Sequence, residues 1–235
     1  MLSIADPNYG VQRTDSGPAI VELSARSRYG TFHGDLTPLP FTAWECSWVT
    51  ESFRKAGFDA GALQKANARE ASVRMYAPGR KYLHFACHGL VDQSYGNLFG
   101  ALALTPGPTG SADPSDDGFL TLGEIYELNL RGTELSILSA CDTNYGPNQK
   151  GEGVWSLSRG FLVAGSKRVI ASNWLVDDEA SASLVSVFCR ELVKEMPGES
   201  LDYAATLQAA KRWVRNQDKW KSPFYWGTFV LVGPN

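Results

Sequence analysis

An α/β fold built on a mostly parallel central sheet is what this 235-residue chain predicts, and three observations carry the prediction. Short runs rich in aliphatic and aromatic residues occur at 81–89, 134–141 and 167–174, the first two bounded by Gly or Asp, as expected of strands buried on both faces. Segments with apolar residues at helical spacing separate them. The two kinds of segment alternate along the chain, the order in which crossover helices connect parallel strands.

The first strand, Leu2-Ser3-Ile4-Ala5, starts directly after Met1 and stops at Asp6-Pro7, an abrupt beginning that suits a piece of something longer. Residues 8–40 are rich in Gly, Pro and polar groups and read as a loop closed by Pro38, Leu39 and Pro40. Trp44, Val49, Phe53 and Ala56 then mark a helix that stops at Gly57, and residues 66–74 predict another before Pro78-Gly79. After the run at 81–89, residues 98–104 predict a short strand, and 105–118, with three Asp among Gly and Pro, an exposed loop. Thr121 with Glu124 three residues on forms a capping box ahead of Ile125 and Leu128.

Beyond the run at 134–141, residues 142–153 have the composition of a loop able to close over a substrate. Val154, Leu157, Phe161 and Leu162 predict a helix ended by Gly165. Asp177 or Asp178 can cap a helix with the inward stripe Leu184, Val187, Phe188 and Leu192; Ser200 can cap one carrying Ala204, Leu207, Trp213 and Val214. Residues 224–232 predict a final strand. There is no internal repeat and no low-complexity tract.

Composition narrows the function. A chain of this length with 43% hydrophobic residues can form one well-cored domain. A net charge of -3 with scattered Lys and Arg lacks the electrostatic footprint of a nucleic-acid binder. No apolar stretch approaches the roughly 18 to 20 residues of a membrane span, and no secretory leader is evident. Four cysteines without a C-x-x-C pair suit free thiols in a reducing compartment, so a cytoplasmic location is expected.

The chemistry lies where two of the strands end. The run at 81–89 closes on His88 and Gly89, and the run at 134–141 closes on Cys141. Carboxyl ends of parallel strands are where open α/β sheets assemble sites. A free thiol has a pKa of about 8.5, so a neighbouring imidazole near about 6.5 must take its proton for the sulfur to attack. Attack on a peptide carbonyl creates an oxyanion, and the amides of Gly89 and Cys141 can serve it, each such donor contributing roughly 3 to 4 kcal/mol. No side chain that would orient His88 is evident. His84 and Cys87, inside the first run, are expected in the core, and His33 in a loop. A metal shared by His84 and His88 is discounted, because four residues of strand span about 13 Å. No cofactor is expected.

Several ordered motifs together resemble the CHAT domain, a caspase-like peptidase domain usually found with tetratricopeptide repeats and related to caspases and separase. They are the His-Gly strand ending, Ser139-Ala140-Cys141-Asp142-Thr143, Gly151-Glu152-Gly153, Asn173-Trp174-Leu175-Val176-Asp177-Asp178, and Trp226-Gly227-Thr228-Phe229-Val230. The resemblance spans nearly the whole chain, so residues 1–235 are taken as one domain without the upstream repeats. It implies a caspase-like fold with helices on both faces of the sheet. It also implies catalysis by His88 and Cys141 as a dyad, on a protein or peptide substrate.

Relatives of this kind select chiefly the residue before the scissile bond, and some use an acidic pocket for Arg or Lys. Asp142 is the first candidate for such a pocket, with Asp177 and Asp178 as alternatives; Trp174 and Trp226 could wall it, although core packing is the simpler use of each. The expected function is a cysteine endopeptidase acting in a regulatory or defence cascade, with a repeat region or regulatory protein as a further partner. The alternative is a catalytically silent interaction or signalling module. Lys150, the basic residue of the 142–153 loop, could serve as a self-cleavage point.

Overall fold

The computed structural model describes residues 1–9, 36–93, 95–108, 113, 115–149, 153–196 and 201–234. Along the chain the order is β1 (Leu2–Pro7), α1 (Pro40–Lys55), β2 (Gly61–Lys65), α2 (Glu70–Tyr76), β3 (Tyr82–Ala86), β4 (His88–Leu90), β5 (Ala101–Ala103) and β6 (Phe119–Thr121). There follow α3 (Leu122–Glu127), β7 (Leu135–Ser139), β8 (Asn148–Gln149), β9 (Gly153–Val154), α4 (Leu157–Val163) and β10 (Val169–Ser172). The chain closes with α5 (Asp178–Glu195), α6 (Tyr203–Arg215), α7 (Pro223–Trp226) and β11 (Phe229–Val232).

Six strands form the central sheet in the order β11-β10-β7-β3-β1-β2. All its neighbours run parallel except β10 and β11. Alternation along each strand divides the apolar side chains between two cores. Tyr82 of β3 and Leu135 and Ile137 of β7 face Val49 and Phe53 of α1, Leu184 and Phe188 of α5, and Leu207 and Val214 of α6. On the other face, Leu83 and Phe85 of β3 and Leu138 of β7 meet Val73 of α2, Ile125 of α3 and Phe161 of α4. Each fully buried Leu, Phe or Ile stabilises the fold by about 1.5 to 3 kcal/mol. The mostly parallel sheet with helices on both faces is therefore the architecture observed.

The helix signals also hold in detail. The Leu184, Val187, Phe188 and Leu192 stripe of α5 is buried. Thr121 and Glu124 form the reciprocal capping box of α3, and Asp177 caps α5 by accepting from the Ala180 amide at 2.8 Å. For α6 the cap is Asp202, which accepts from the Ala205 amide; Ser200, expected there, lies outside the described residues, as do His33 and Lys150.

Other expectations are corrected. The run at 81–89 is two strands, since pairing with the main sheet stops at Ala86 and His88–Leu90 joins β5 in a small antiparallel sheet, β4-β5-β6. The helix expected over 66–74 begins only at Glu70, and β2, which lacks a strong apolar run, was not expected at all. Val154 lies in a two-residue strand, and α4 starts after its Ser156 cap. Residues 223–226 make a helical turn before β11 because Pro223 suits a first helical position, capped by Ser222. The 105–118 segment is not wholly exposed: Thr105 and Asp116 are buried and hydrogen-bonded to neighbouring backbone.

A polar group is sealed between α1 and the sheet. His84 is 0% exposed and Glu45 of α1 is 1% exposed; the imidazole contacts Glu45 Oε1 through Nε2 at 2.9 Å and Ser3 Oγ through Nδ1 at 2.8 Å. A carboxylate only accepts, so Nε2–H donates to Glu45, while Nδ1 pairs with the Ser3 hydroxyl. Every polar atom of the imidazole is satisfied, which is the condition for burying it without a large penalty. Beside it, Ala5, Cys46 and Ala86 make a patch of small side chains that lets α1 lie close to the strands.

Candidate active site

Register brings the two strand ends together. In the β3–β7 pair Ala86 stands opposite Ser139, so His88 and Cys141 are each two residues beyond a matched pair. Ala86, the last paired residue of β3, lies on the face covered by α1, where it packs with Cys46. The chain then crosses from β3 into β4 at Cys87, which is buried. Gly89 packs directly on the next strand's end: a Cβ built on it would stand 2.1 Å from the Cys141 carbonyl oxygen. Only glycine fits there.

His88 is held from two sides. Its Nε2 lies 2.8 Å from the Thr37 carbonyl oxygen, and because a carbonyl only accepts, this nitrogen carries a proton, so in the neutral ring the lone pair sits on Nδ1. The His88 amide donates to the Tyr9 hydroxyl at 3.2 Å, and the two rings lie 5.1 Å apart. The orienting group missing from the sequence is thus the backbone oxygen of Thr37. Backbone groups leave no residue-type signature, which is why it could not be read in advance; Tyr9, in a loop far along the chain, gave no signal either.

Cys141 is partly exposed, and its sulfur receives a hydrogen bond from the Val176 amide just ahead of α5. That donor and the positive end of α5 favour the thiolate. Burial acts the other way and outweighs them, with the negative charges of Asp142 and Asp178 adding to it, so the thiol is pushed above its ordinary range. Beyond Cys141 the chain turns sharply, Asp142 adopting a φ of 53°, and is fastened to β10. Ser172 N–H donates to Thr143 Oγ1 at 2.8 Å, Asn144 N–H to the Ser172 carbonyl at 2.8 Å, and the Ser172 hydroxyl to the Ala140 carbonyl. The described beginning of the loop expected to be mobile is therefore well anchored.

Of the acidic candidates, Asp142 is half-exposed beside the sulfur, and burial raises its carboxyl above the usual range. Asp177 caps α5. Asp178 accepts from the Phe41 amide at 2.9 Å, and its carboxyl is raised chiefly by burial, with the Phe41 bond and the charge of His88 opposing. Trp174 is 37% exposed, with Nε1 donating to the Phe224 carbonyl, and Leu175 beside it is exposed. Trp174 is thus at the surface, not the core residue its size suggested; Trp226 is partly buried against the core of α5 and α6. His84, with both ring nitrogens engaged, has none to share with His88 around a metal. The described helices include none long and apolar enough to cross a membrane.

Comparison with known proteins bears on the fold and the family. The solved Arg-specific cysteine proteinase gingipain R superposes with a TM-score of 0.58 at 11% identity, covering 99% of this chain and 45% of its own. A complex of the pro- and mature domains of Porphyromonas gingivalis RgpB gives 0.57 at 10% identity, covering 99% and 46%. These likenesses establish a caspase-like fold. Tetratricopeptide repeat protein 28 from Homo sapiens is 28% identical over 120 residues, and the Mus musculus protein of that name likewise. In each case the match covers 51% of this chain and 5% of the relative. The sequence profile of the CHAT domain matches residues 5–234, and the chain belongs to the CHAT domain family.

Proposed function

We propose that this domain is a cysteine-type endopeptidase that cuts a partner protein with Cys141 as nucleophile and His88 as its base. The observation that carries the reading is the meeting of the two strand ends, with Ala86 opposite Ser139 and Gly89 seated on the Cys141 carbonyl. In this mechanism His88 Nδ1 takes the thiol proton as the sulfur attacks the scissile carbonyl. The amides of Gly89 and Cys141 receive the oxyanion. Collapse of the tetrahedral species expels the amine, which takes the proton from His88 and leaves a thioester on Cys141. Water then attacks the thioester, giving its proton to His88, and the sulfur departs.

Asp142 is the carboxylate we assign to a pocket for a basic residue before the scissile bond, because it is half-exposed beside the sulfur while Asp177 and Asp178 are engaged by backbone amides. The Arg specificity of the solved gingipain is consistent with this preference. A tetratricopeptide-repeat region or a regulatory protein is the further partner, in keeping with the curated relatives, within a cytoplasmic signalling or defence cascade.

The raised thiol of Cys141 favours a second reading, a silent module that only binds partners. One experiment separates the two. A peptidyl chloromethyl ketone with Arg or Lys next to the warhead is incubated with the protein, and modified residues are mapped by mass spectrometry. Labelling of Cys141 that disappears in His88→Ala, together with cuts after basic residues in a peptide library, supports the peptidase. An unreactive Cys141 and an uncut library leave the silent module.

A further inference from the structure

The first turn of α1 lacks a cap of its own. Its N-cap residue is Leu39, whose side chain cannot accept a hydrogen bond; Pro40 at the first helical position has no N–H; and no acidic residue lies in the turn. The Phe41 amide is satisfied instead from 137 residues away, by Asp178 Oδ2 at 2.9 Å. Four residues before Phe41, the Thr37 carbonyl accepts from His88 Nε2.

The chain between these two anchor points is unusually stiff. It reads Thr37-Pro38-Leu39-Pro40-Phe41; each proline fixes its own φ and excludes the helical region for the residue before it, so four consecutive residues are restricted. The Leu39 carbonyl is further held by the Thr42 hydroxyl at 2.8 Å. A displacement at Phe41 therefore reaches Thr37 largely undamped.

We infer that Asp178 is a positioning residue for His88, acting as a borrowed cap that fixes a two-proline strut whose far end orients the imidazole with Nδ1 free. Asp178 belongs to the first turn of α5, the helix whose approach delivers the Val176 amide to the Cys141 sulfur. One carboxylate thus ties the segment that orients the base to the helix that faces the nucleophile. The inference rests on the proposed role of His88 as base, but its test reads the ring itself.

The test uses the full chain with ¹⁵N-labelled histidine, recorded at about pH 8.5, where an ordinary imidazole is neutral. Wild type and Asp178→Asn, whose amide oxygen can still accept from Phe41, should both show the Nε2–H tautomer of His88. Asp178→Ala, and Pro38→Gly, which softens the strut while keeping both the Thr37 carbonyl and the Asp178 cap, should show mixed tautomers. Chloromethyl ketone labelling of Cys141 should be on the order of tenfold slower in Asp178→Ala than in Asp178→Asn.

An unchanged tautomer in Asp178→Ala would overturn the inference. So would an equal change in Asp178→Asn, which would make charge, not the cap, the cause. Should Asp178→Ala fail to fold, Pro38→Gly decides: mixed tautomers support the strut and a single one refutes it. A Cys141 that never reacts in wild type counts against the peptidase alone, because the ring nitrogens still report the positioning.

Discussion

The backbone of Gly89 rests on the carbonyl of Cys141, so closely that a single methyl group on Gly89 would stand 2.1 Å from the oxygen. No flexible side chain is involved, and backbone must move if the space is filled. Gly89→Ala is therefore expected to separate the two strand ends, lowering stability by about 1 to 3 kcal/mol and abolishing His88-dependent labelling of Cys141. Urea unfolding and site-resolved mass spectrometry measure the two effects. A variant that labels as fast as wild type would show that the contact is dispensable.

The Cys141 thiol is held above its ordinary range by burial and then by Asp142 and Asp178, against the Val176 amide. Less thiolate is present at neutral pH than for a free cysteine, so labelling by iodoacetamide should keep rising well past about pH 8.5. Asp142→Asn removes one of the opposing charges and should move the profile to lower pH. The same variant should weaken any preference for Arg or Lys before the scissile bond, which peptide cleavage would reveal.

Glu45 and His84 should behave as a buried pair with no spare partner. Glu45→Ala leaves the His84 Nε2 donor, now 2.9 Å from its acceptor, without a partner; a loss of about 1 to 3 kcal/mol is expected. Glu45→Gln keeps an oxygen in reach and should lose clearly less. Chemical denaturation of the two variants side by side checks the order, and equal losses would assign the cost to packing.

Glu70 gives a pH signature. Its Oε1 accepts from the Gly118 and Phe119 amides at 2.7 and 3.2 Å, while Oε2 has no hydrogen-bond partner among the described residues. Burial first, and then the charge of Glu124, raise its pKa to about 9; the Gly118 bond and Arg74, 3.6 Å away, oppose this. Between the unfolded value of about 4.3 and about 9 the folded protein holds a proton that the unfolded chain releases, so this group makes stability fall as pH rises through that window. Glu70→Gln should flatten the slope and be more stable than wild type by about 1 to 2 kcal/mol at pH 8. Thermal melts from pH 5 to 9 test it, and parallel curves would refute it.

Periodicity made most of the elements legible, because a buried stripe such as Leu184, Val187, Phe188 and Leu192 can satisfy only a helix packed on one side. Capping chemistry was equally local: Thr121 with Glu124, and Asp177, act on amides three residues away. β2 was not legible, since an edge strand exposed on part of its surface carries no continuous apolar run. The break at Cys87 was also hidden. It depends on β5 offering a second pairing partner to His88–Leu90, and no property of residues 81–89 announces that choice.

By itself the sequence determined that two buried strands are each followed closely by a reactive side chain, an imidazole after one and a thiol after the other, because apolar runs are written into short stretches of chain. It equally determined that Gly89 follows the imidazole. Tertiary structure alone decided that these strands are neighbours in register, that the Thr37 carbonyl sets the tautomer of His88, and that Asp178 supplies a cap to a helix 137 residues away. The reason is physical: propensity and periodicity act within a few residues, whereas a backbone carbonyl or a borrowed cap acquires its partner only when distant segments have been packed together.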